Sequence, residues 1–260
     1  MRSNVSFWYC IDMSHLVLKF RRSIYKVIPL RFKLRFRVVW YKISRKLEPE
    51  LWFVLRLTAR HRRFIDVGAN SGVYSYCYSS RFKNIESFEP LQEVIKPLEA
   101  MRLSNVSIHN LALSSSAGTK SIYVPTFHDT EVSSLASFNR PKSESVNYVV
   151  RTETLDSFDF KDVDLIKIDV EGHELDIVKG ALKTIRRNMP ILLIEIEQRH
   201  SQSPIENTFQ YLLDLGYSGY FLHKGILEPL KNFDYIRHQK SWVHRPTPKN
   251  YINNFVFIPS

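Results

Sequence analysis

Five side chains have the types and spacing to do chemistry: Asp66, Glu89, Asp169, Glu171 and His173. The first stands in Phe64-Ile-Asp-Val-Gly-Ala-Asn-Ser-Gly-Val-Tyr-Ser, a short apolar run that ends in the turn Gly68-Ala69-Asn70-Ser71-Gly72. Glycines in such a turn let backbone approach a ligand closely, and a helix that follows presents unpaired N–H groups. A dinucleotide site uses Gly-x-Gly-x-x-Gly, because the pyrophosphate sits on the backbone at the helix start. This turn reads Gly-x-x-x-Gly, and the Asp66 carboxylate two residues ahead of it repels a diphosphate and favours a cation. S-adenosylmethionine carries a sulfonium and an ammonium but no phosphate, so it suits the turn better.

Glu89 closes the run Ile85-Glu-Ser-Phe-Glu-Pro90, 21 residues after Gly68. In nucleotide-binding α/β folds a carboxylate at about this distance ends the second strand and accepts the ribose hydroxyl protons. The other block, Val163-Asp-Leu-Ile-Lys-Ile-Asp-Val170, is an apolar strand ending at Asp169, followed at once by Glu171-Gly-His-Glu174. Carboxylates and an imidazole thus gather at the carboxyl end of a central strand, where α/β enzymes place their chemistry. His173 is the first choice of general base because neutral imidazole titrates near physiological pH; the competing role is a helix-cap histidine bonded to nearby backbone. Asp169 and Glu171 are the alternative bases. With His173 they also form a set that a divalent metal would use to acidify an acceptor hydroxyl, and the metal is left open.

The elements that must position these groups follow from hydrophobic periodicity. Strands are expected at Phe64–Val67, Ile85–Glu89, Val106–Leu113, Val163–Asp169, Pro190–Glu197, Tyr217–His223 and Asn254–Ile258, with helices between them. Asn110, near the end of the third strand, is a candidate adenine or ribose contact. Residues 120–148, rich in Ser, Thr and Asn, are expected to form a hairpin or a loop able to close over a substrate, and residues 224–253 an irregular connection.

Charge divides the chain of 260 residues near residue 60. Residues 1–63 hold 16 Lys and Arg against 3 Asp and Glu, whereas residues 64–260 hold 21 against 23. Leu16–Ile28 has the spacing of an amphipathic helix, and Arg31–Val38 alternates basic and apolar residues strictly, predicting an extended strand. A basic N-terminal extension over 1–60 and a catalytic domain over 61–260 are the expected units, the extension offering a surface for anionic lipid head groups, nucleic acid or an acidic acceptor. Cys10 and Cys77 form no disulfide framework or Cys-x-x-Cys pattern, and no apolar run reaches the roughly 18 residues of a membrane span. A cytoplasmic protein, peripheral to a membrane through its basic segment, is the resulting expectation. A nucleic-acid methylase is disfavoured by the absence of an Asn/Asp-Pro-Pro-aromatic motif and of a Pro-Cys nucleophile. A non-catalytic binding module is disfavoured by the intact Asp66, Glu89 and Asp169.

The blocks around Asp66 and Asp169, together with Phe88-Glu-Pro90, Asn110-Leu-Ala-Leu-Ser114, Thr154-Leu-Asp156, the Glu195 strand and the closing Asn254-Phe-Val-Phe257, occur in the order of the FkbM methyltransferases. The resemblance spans about residues 60–260. It implies a Rossmann-like class I methyltransferase fold, an α/β sheet of seven mostly parallel strands with helices on both faces and the last strand antiparallel. It further implies S-adenosylmethionine-dependent O-methylation, typically of a sugar, glycan or natural-product hydroxyl. By the same resemblance Asp66, Gly68, Asn70 and Gly72 line the methionine end, Glu89 holds the ribose, Asn110 and Ala112 neighbour the adenine, Asp169 faces the reacting methyl, and Ala69 and Pro90 belong to the same cofactor site.

Overall fold

The computed structural model describes residues 25, 27–127, 130–131, 133–141, 143–240 and 251–260. Cys10 and most of the helix expected over Leu16–Ile28 therefore lie outside the described residues. The apolar runs form strands β1 (Arg63–Val67), β2 (Asn84–Phe88) and β3 (Val106–His109), then the short β4 (Ala112–Leu113). A polar stretch follows as β5 (Gly118–Phe127), β6 (Thr130–Glu131) and β7 (Ser145–Glu153). The chain then returns through β8 (Val163–Ile168), β9 (Ile191–Glu195), β10 (Tyr217–His223), β11 (Ile226–Pro229) and β12 (Asn254–Pro259). Helices are α1 (Leu30–Ile43), α2 (Pro49–Leu57), α3 (Val73–Tyr78), α4 (Gln92–Glu99), α5 (Glu174–Gly180), α6 (Leu182–Asn188), α7 (Glu206–Asp214) and α8 (Tyr235–His238).

The main sheet runs β11-β10-β12-β9-β8-β1-β2-β3, with β3, β2, β1, β8 and β9 parallel and β12 antiparallel to both β9 and β10. Seven of these strands have the expected arrangement, the last in sequence being the antiparallel one. The eighth, β11, is a hairpin partner added to the edge at β10. From β1 the chain winds through β2 and β3 to one side and later through β8 and β9 to the other, so the β1/β8 junction is a topological switch point. Open α/β sheets leave their ligand crevice there, outside the carboxyl ends of the strands.

Helices cover both faces. Ile177, Val178, Ile185, Phe209 and Leu212 pack on one side against Ile65, Ile166 and Ile194; Leu51, Val54, Tyr74 and Tyr78 pack on the other against Phe64, Leu165 and Leu193. Successive strand residues point to opposite faces, which sorts Phe64 from Ile65 and Leu165 from Ile166. Because Leu51 and Val54 belong to α2, the segment before residue 60 supplies part of the sheet's core.

Three expectations are corrected. Arg31–Val38 is helical, within α1. Its strict alternation satisfies a strand's period, but the run has no Gly or Pro, and Leu, Arg and Lys favour helix. Leu34 and Val38, four residues apart, are also the pair that packs on Ile95 and Leu98 of α4, a contact only helical spacing provides. Second, the strand expected over Val106–Leu113 splits after His109: β3 stays in the main sheet while β4 pairs with β7 in a separate four-stranded sheet, β4-β7-β5-β6. Third, residues 224–253 are more ordered than expected, since they contain β11 and α8; residues 241–250 lie outside the described residues. The hairpin expected in 120–148 is present as β5 and β7, paired from Gly118↔Thr152 to Pro125↔Ser145.

Candidate active site

At the switch point, Gly68 has φ +72 and its amide and that of Ala69 both donate to the Phe88 carbonyl at 3.0 Å, folding the turn across the ends of β1 and β2. A Cβ on Gly68 would stand 1.9 Å from the Asp169 carbonyl oxygen, so the end of β8 approaches this turn as closely as a glycine permits. Asn70, at φ +48, accepts a hydrogen bond from the Ser71 amide at its own Oδ1 and donates its backbone N–H to Glu89 Oε2 at 3.0 Å. The other carboxylate oxygen of Glu89 accepts from the Leu91 amide at 2.9 Å. Backbone donors on two turns thus hold Glu89 in one orientation. Burial dominates its titration and pushes its pKa up to about 7, against the opposing effect of those two amides.

These groups border a cleft of about 720 Å³ including its open mouth. Its polar wall comprises Gly68, Asn70, Glu89, Asp169 and Glu171; its apolar wall is built mainly by Phe88, Pro90, Leu111, Ala112, Ile122 and Phe138. Among the described residues that line it there is no Lys or Arg. Ser133, Ala136, Ser137 and Phe138, from the hairpin's connection, form the far side. Ser137 Oγ donates to the Glu171 carbonyl at 2.7 Å and Asn139 Nδ2 to the His200 carbonyl at 3.0 Å, tying this connection across the cleft.

Behind the polar wall lies a buried charge cluster. Alternation along β1 turns Asp66 away from the cleft, onto the face of Phe64, where it is fully buried. Its Oδ2 accepts from the Ser75 hydroxyl at 2.6 Å and the Ser75 amide at 3.2 Å, and its Oδ1 has no hydrogen-bond partner among the described residues. Directly opposite across β1/β8 stands Lys167, also buried, whose Nζ donates to Asp169 Oδ2 at 2.9 Å and lies 4.8 Å from the Tyr74 ring centre. Burial works against the Lys167 charge, but Asp169, Asp66 and Glu48 outweigh it and raise its pKa. Glu48, just before α2, accepts from the Tyr74 hydroxyl. Burial raises the Glu48 and Asp66 carboxyls, with Lys167 opposing in both. Glu195, at the end of β9, is likewise raised, by burial first and then by Asp169 and Glu48; Asn253 Nδ2 donates to its Oε1 at 2.6 Å.

His173 lies elsewhere. Its Nε2 is 3.0 Å from Ser114 Oγ and 3.4 Å from Lys120 Nζ, its Nδ1 is 3.2 Å from Asp176, and its ring packs on Phe138 at 4.6 Å. It borders a second cavity, with Asn139, Glu174 and Asn207, rather than the cleft. Burial, followed by the neighbouring Lys120 charge, lowers its pKa to about 4 despite Asp176. Of the expected site residues the structure therefore brings Gly68, Asn70, Glu89, Pro90, Ala112, Asp169 and Glu171 to one cleft. Asp66, Ala69, Gly72, Asn110 and His173 are not on its lining. Gly72 turns the chain at φ +83 against Leu98, Ala69 packs near Leu34, and Asn110 Nδ2 straps the Glu89 and Pro90 carbonyls at 2.9 and 3.2 Å. Among the described residues no group of three His, Cys, Asp or Glu is placed to hold a metal ion, and His173 borders a different cavity from Asp169 and Glu171.

Lys167, Tyr74 and Glu48 were not singled out from the sequence. The signal for Lys167 was a lone cation inside Leu-Ile-Lys-Ile-Asp, since a charge in a buried parallel strand requires partners; nothing in the sequence marks Glu48.

The profile of the methyltransferase FkbM domain matches residues 66–219, more than half of the chain. The chain belongs to the FkbM methyltransferase family. A search of curated proteins found no significant match. Among solved structures it is similar to an FkbM methyltransferase from Methylobacillus flagellatus KT, with 15% identity and a TM-score of 0.48 over 95% of this chain and 60% of that one. It is also similar to a TehB-like SAM-dependent methyltransferase from Corynebacterium glutamicum, at 10% identity and TM-score 0.46 over 87% of this chain and 97% of that one. A third is magnesium protoporphyrin IX methyltransferase from Synechocystis PCC 6803 with bound SAM, at 9% identity and TM-score 0.46 over 86% and 83% of the two chains. The present chain thus spans 60% of the length of the FkbM structure it resembles. In this family member no helix among the described residues is long and apolar enough to cross a membrane.

Proposed function

We propose that this FkbM-family chain transfers a methyl group from S-adenosylmethionine to a hydroxyl of a sugar, glycan or natural product. The observation that carries the donor assignment is the cleft lining: three carboxylates, no Lys or Arg among the described lining residues, and an apolar wall opposite. A pyrophosphate would meet the carboxylates of Asp169, Glu171 and, when ionised, Glu89 with no cation on the described lining to offset them, whereas a cationic amino-acid head and a flat adenine match the two walls. Glu89, held by the Asn70 and Leu91 amides, keeps acceptor capacity for ribose hydroxyls. Gly68 lets the turn after β1 close directly onto the Asp169 backbone, which fixes the crevice floor between the two strand ends.

S-adenosylmethionine, when bound, supplies a methyl group activated by its sulfonium. What remains for the protein is alignment of the acceptor oxygen and removal of its proton. Asp169 is the candidate base best supported by geometry: it lines the cleft, Lys167 holds its Oδ2, and its Oδ1 has no hydrogen-bond partner among the described residues. An Oδ1 left open in this way can take a hydroxyl proton while Lys167 balances the change of charge. His173 is the weaker candidate, being off the lining and engaged by Ser114, Lys120 and Asp176. Lys167 itself is a positioning residue.

The test is a two-stage measurement on the full chain. Calorimetry with S-adenosylhomocysteine is expected to give saturable binding. Incubation with S-adenosylmethionine and a panel of saccharides and polyhydroxylated natural products, followed by mass spectrometry, is expected to give a product with its new methyl on oxygen. Absence of donor binding would remove the methyltransferase reading; a methyl on nitrogen or carbon would remove the hydroxyl acceptor.

A further inference from the structure

Residues 13–47 contain 11 Lys and Arg and no Asp or Glu. Residues 30–43 of that stretch form α1, packed on the domain through Leu34, Val38 and their contacts with Ile95 and Leu98. At 100° per residue, Phe32, Phe36, Val39 and Ile43 fall on one stripe away from that contact. Three of the four meet solvent, Phe32 being 41%, Val39 55% and Ile43 74% exposed, while Phe36 is half-buried against the Tyr25 and Trp40 rings. Arg31, Arg35 and Lys42 flank it on one side, Lys33 and Arg37 on the other.

An apolar stripe on a surface helix, bordered on both sides by cations and accompanied by no acid, is the pattern of a helix lying in a membrane interface. A solvated helix gains nothing from exposing Phe, Val and Ile in register, and a helix that binds nucleic acid needs the cations but not the stripe. Charge complementarity selects among lipid surfaces as well, since these cations are attracted to anionic head groups and not to neutral ones. We propose that the outer face of α1 docks on an anionic bilayer, with Val39 and Ile43 entering the head-group boundary and Arg31, Arg35 and Lys42 meeting lipid phosphates. The inner flank of the same helix, Lys33 and Arg37, borders a cavity shared with Asn70 and Ser133, both of which also line the cleft. Docking therefore holds the cleft beside the lipid surface. The proposal does not depend on the donor or acceptor assigned above, because it concerns binding to lipid alone.

Co-sedimentation of the full chain with vesicles tests it. The vesicles are phosphatidylcholine alone, or equal parts phosphatidylcholine and phosphatidylglycerol. The wild-type chain is expected in the pellet with the anionic vesicles and in the supernatant with the neutral ones, with binding weakened about tenfold by high salt. V39E/I43E and R31A/R35A/K42A are each expected to lower anionic-vesicle binding by about tenfold or more. All five positions are exposed, so an unchanged circular dichroism spectrum and urea-unfolding midpoint in both variants verify the fold. Four results would overturn the proposal: no anionic-vesicle binding, equal binding to neutral vesicles, binding unchanged in both variants, or RNA binding without vesicle binding. Self-association that I43E abolishes, with no vesicle binding, would likewise overturn it and assign the stripe to a second copy of the chain.

Discussion

At the scale of single residues, the site is a set of carboxylates whose behaviour depends on what surrounds each one. Asp169 has a lysine on one oxygen and the cleft before it, and with Asp169 as the proposed base, Asp169→Asn is expected to slow the proposed methyl transfer by about 10²- to 10⁴-fold, the usual range for loss of a general base. Its affinity for S-adenosylhomocysteine should stay within a few-fold, and loss of both together would point to donor binding instead. Glu89 makes a different prediction. Burial gives it a folded-state pKa of about 7 against an ordinary 4.5, so the folded protein holds more protons than the unfolded chain between those values. This one group therefore favours folding more as pH falls from about 7 towards 4.5, the reverse of a salt-bridged carboxylate. On the proposed reading, in which Glu89 accepts from the donor's ribose hydroxyls, donor binding runs the other way, because the ionised carboxylate is the better acceptor. Calorimetric affinity for S-adenosylhomocysteine should fall by up to about tenfold per pH unit below about 7. In Glu89→Gln it should be weaker throughout and flatter with pH; a wild-type profile in that variant would separate Glu89 from the effect.

At the scale of elements, the turn after β1 matters because two strand ends converge on it. A Cβ at Gly68 would meet the Asp169 carbonyl at 1.9 Å, at a φ of +72, so both contact and conformation oppose any side chain. Gly225, at φ +81 with nothing within 4 Å of a built Cβ, has the conformational cost alone. Gly68→Ala is expected to cost about 2–4 kcal/mol and Gly225→Ala about 1 kcal/mol in urea unfolding. Equal costs would mean that β8 moves aside freely and that the crevice floor is less rigid than its geometry implies. The same scale explains why the turn was legible in sequence while the fate of Arg31–Val38 was not. Glycine at a strand end reports a backbone requirement locally, whereas an alternating run reports only which residues share a face in whichever element forms. What turned the latter into a helix was the neighbouring Ile95 and Leu98, more than fifty residues away in sequence.

For the whole molecule, the N-terminal quarter has two roles at once. Its α2 builds part of the core beneath β1 and β8, with Leu51 fully buried and its carbonyl accepting from the Tyr78 hydroxyl, while α1 carries the basic surface. Leu51→Ala is thus expected to destabilise the entire chain by about 2–5 kcal/mol, seen as a lower midpoint of a single cooperative unfolding transition. A transition split in two, with only the first sensitive to Leu51, would make residues 27–57 an appendage. Glu48, from this same quarter, completes the charge cluster with Tyr74 and Lys167, so the region outside the family match touches the chemistry of the region inside it.

Some features were written into the chain itself: parallel strands from their apolar runs, the turn after β1 from its glycines, Glu89 and Asp169 at strand ends, and a basic first quarter from composition. These depend on local backbone needs and on residue type, which survive in one dimension. The fold alone decided which of those residues face the cleft. Alternation and register turned Asp66 inward to Lys167, the hairpin connection carried Phe138 between His173 and the cleft, and α2 brought Glu48 to a cluster centred more than a hundred residues later. Contacts of that kind are set by which elements share a face, and no short stretch of sequence contains both partners.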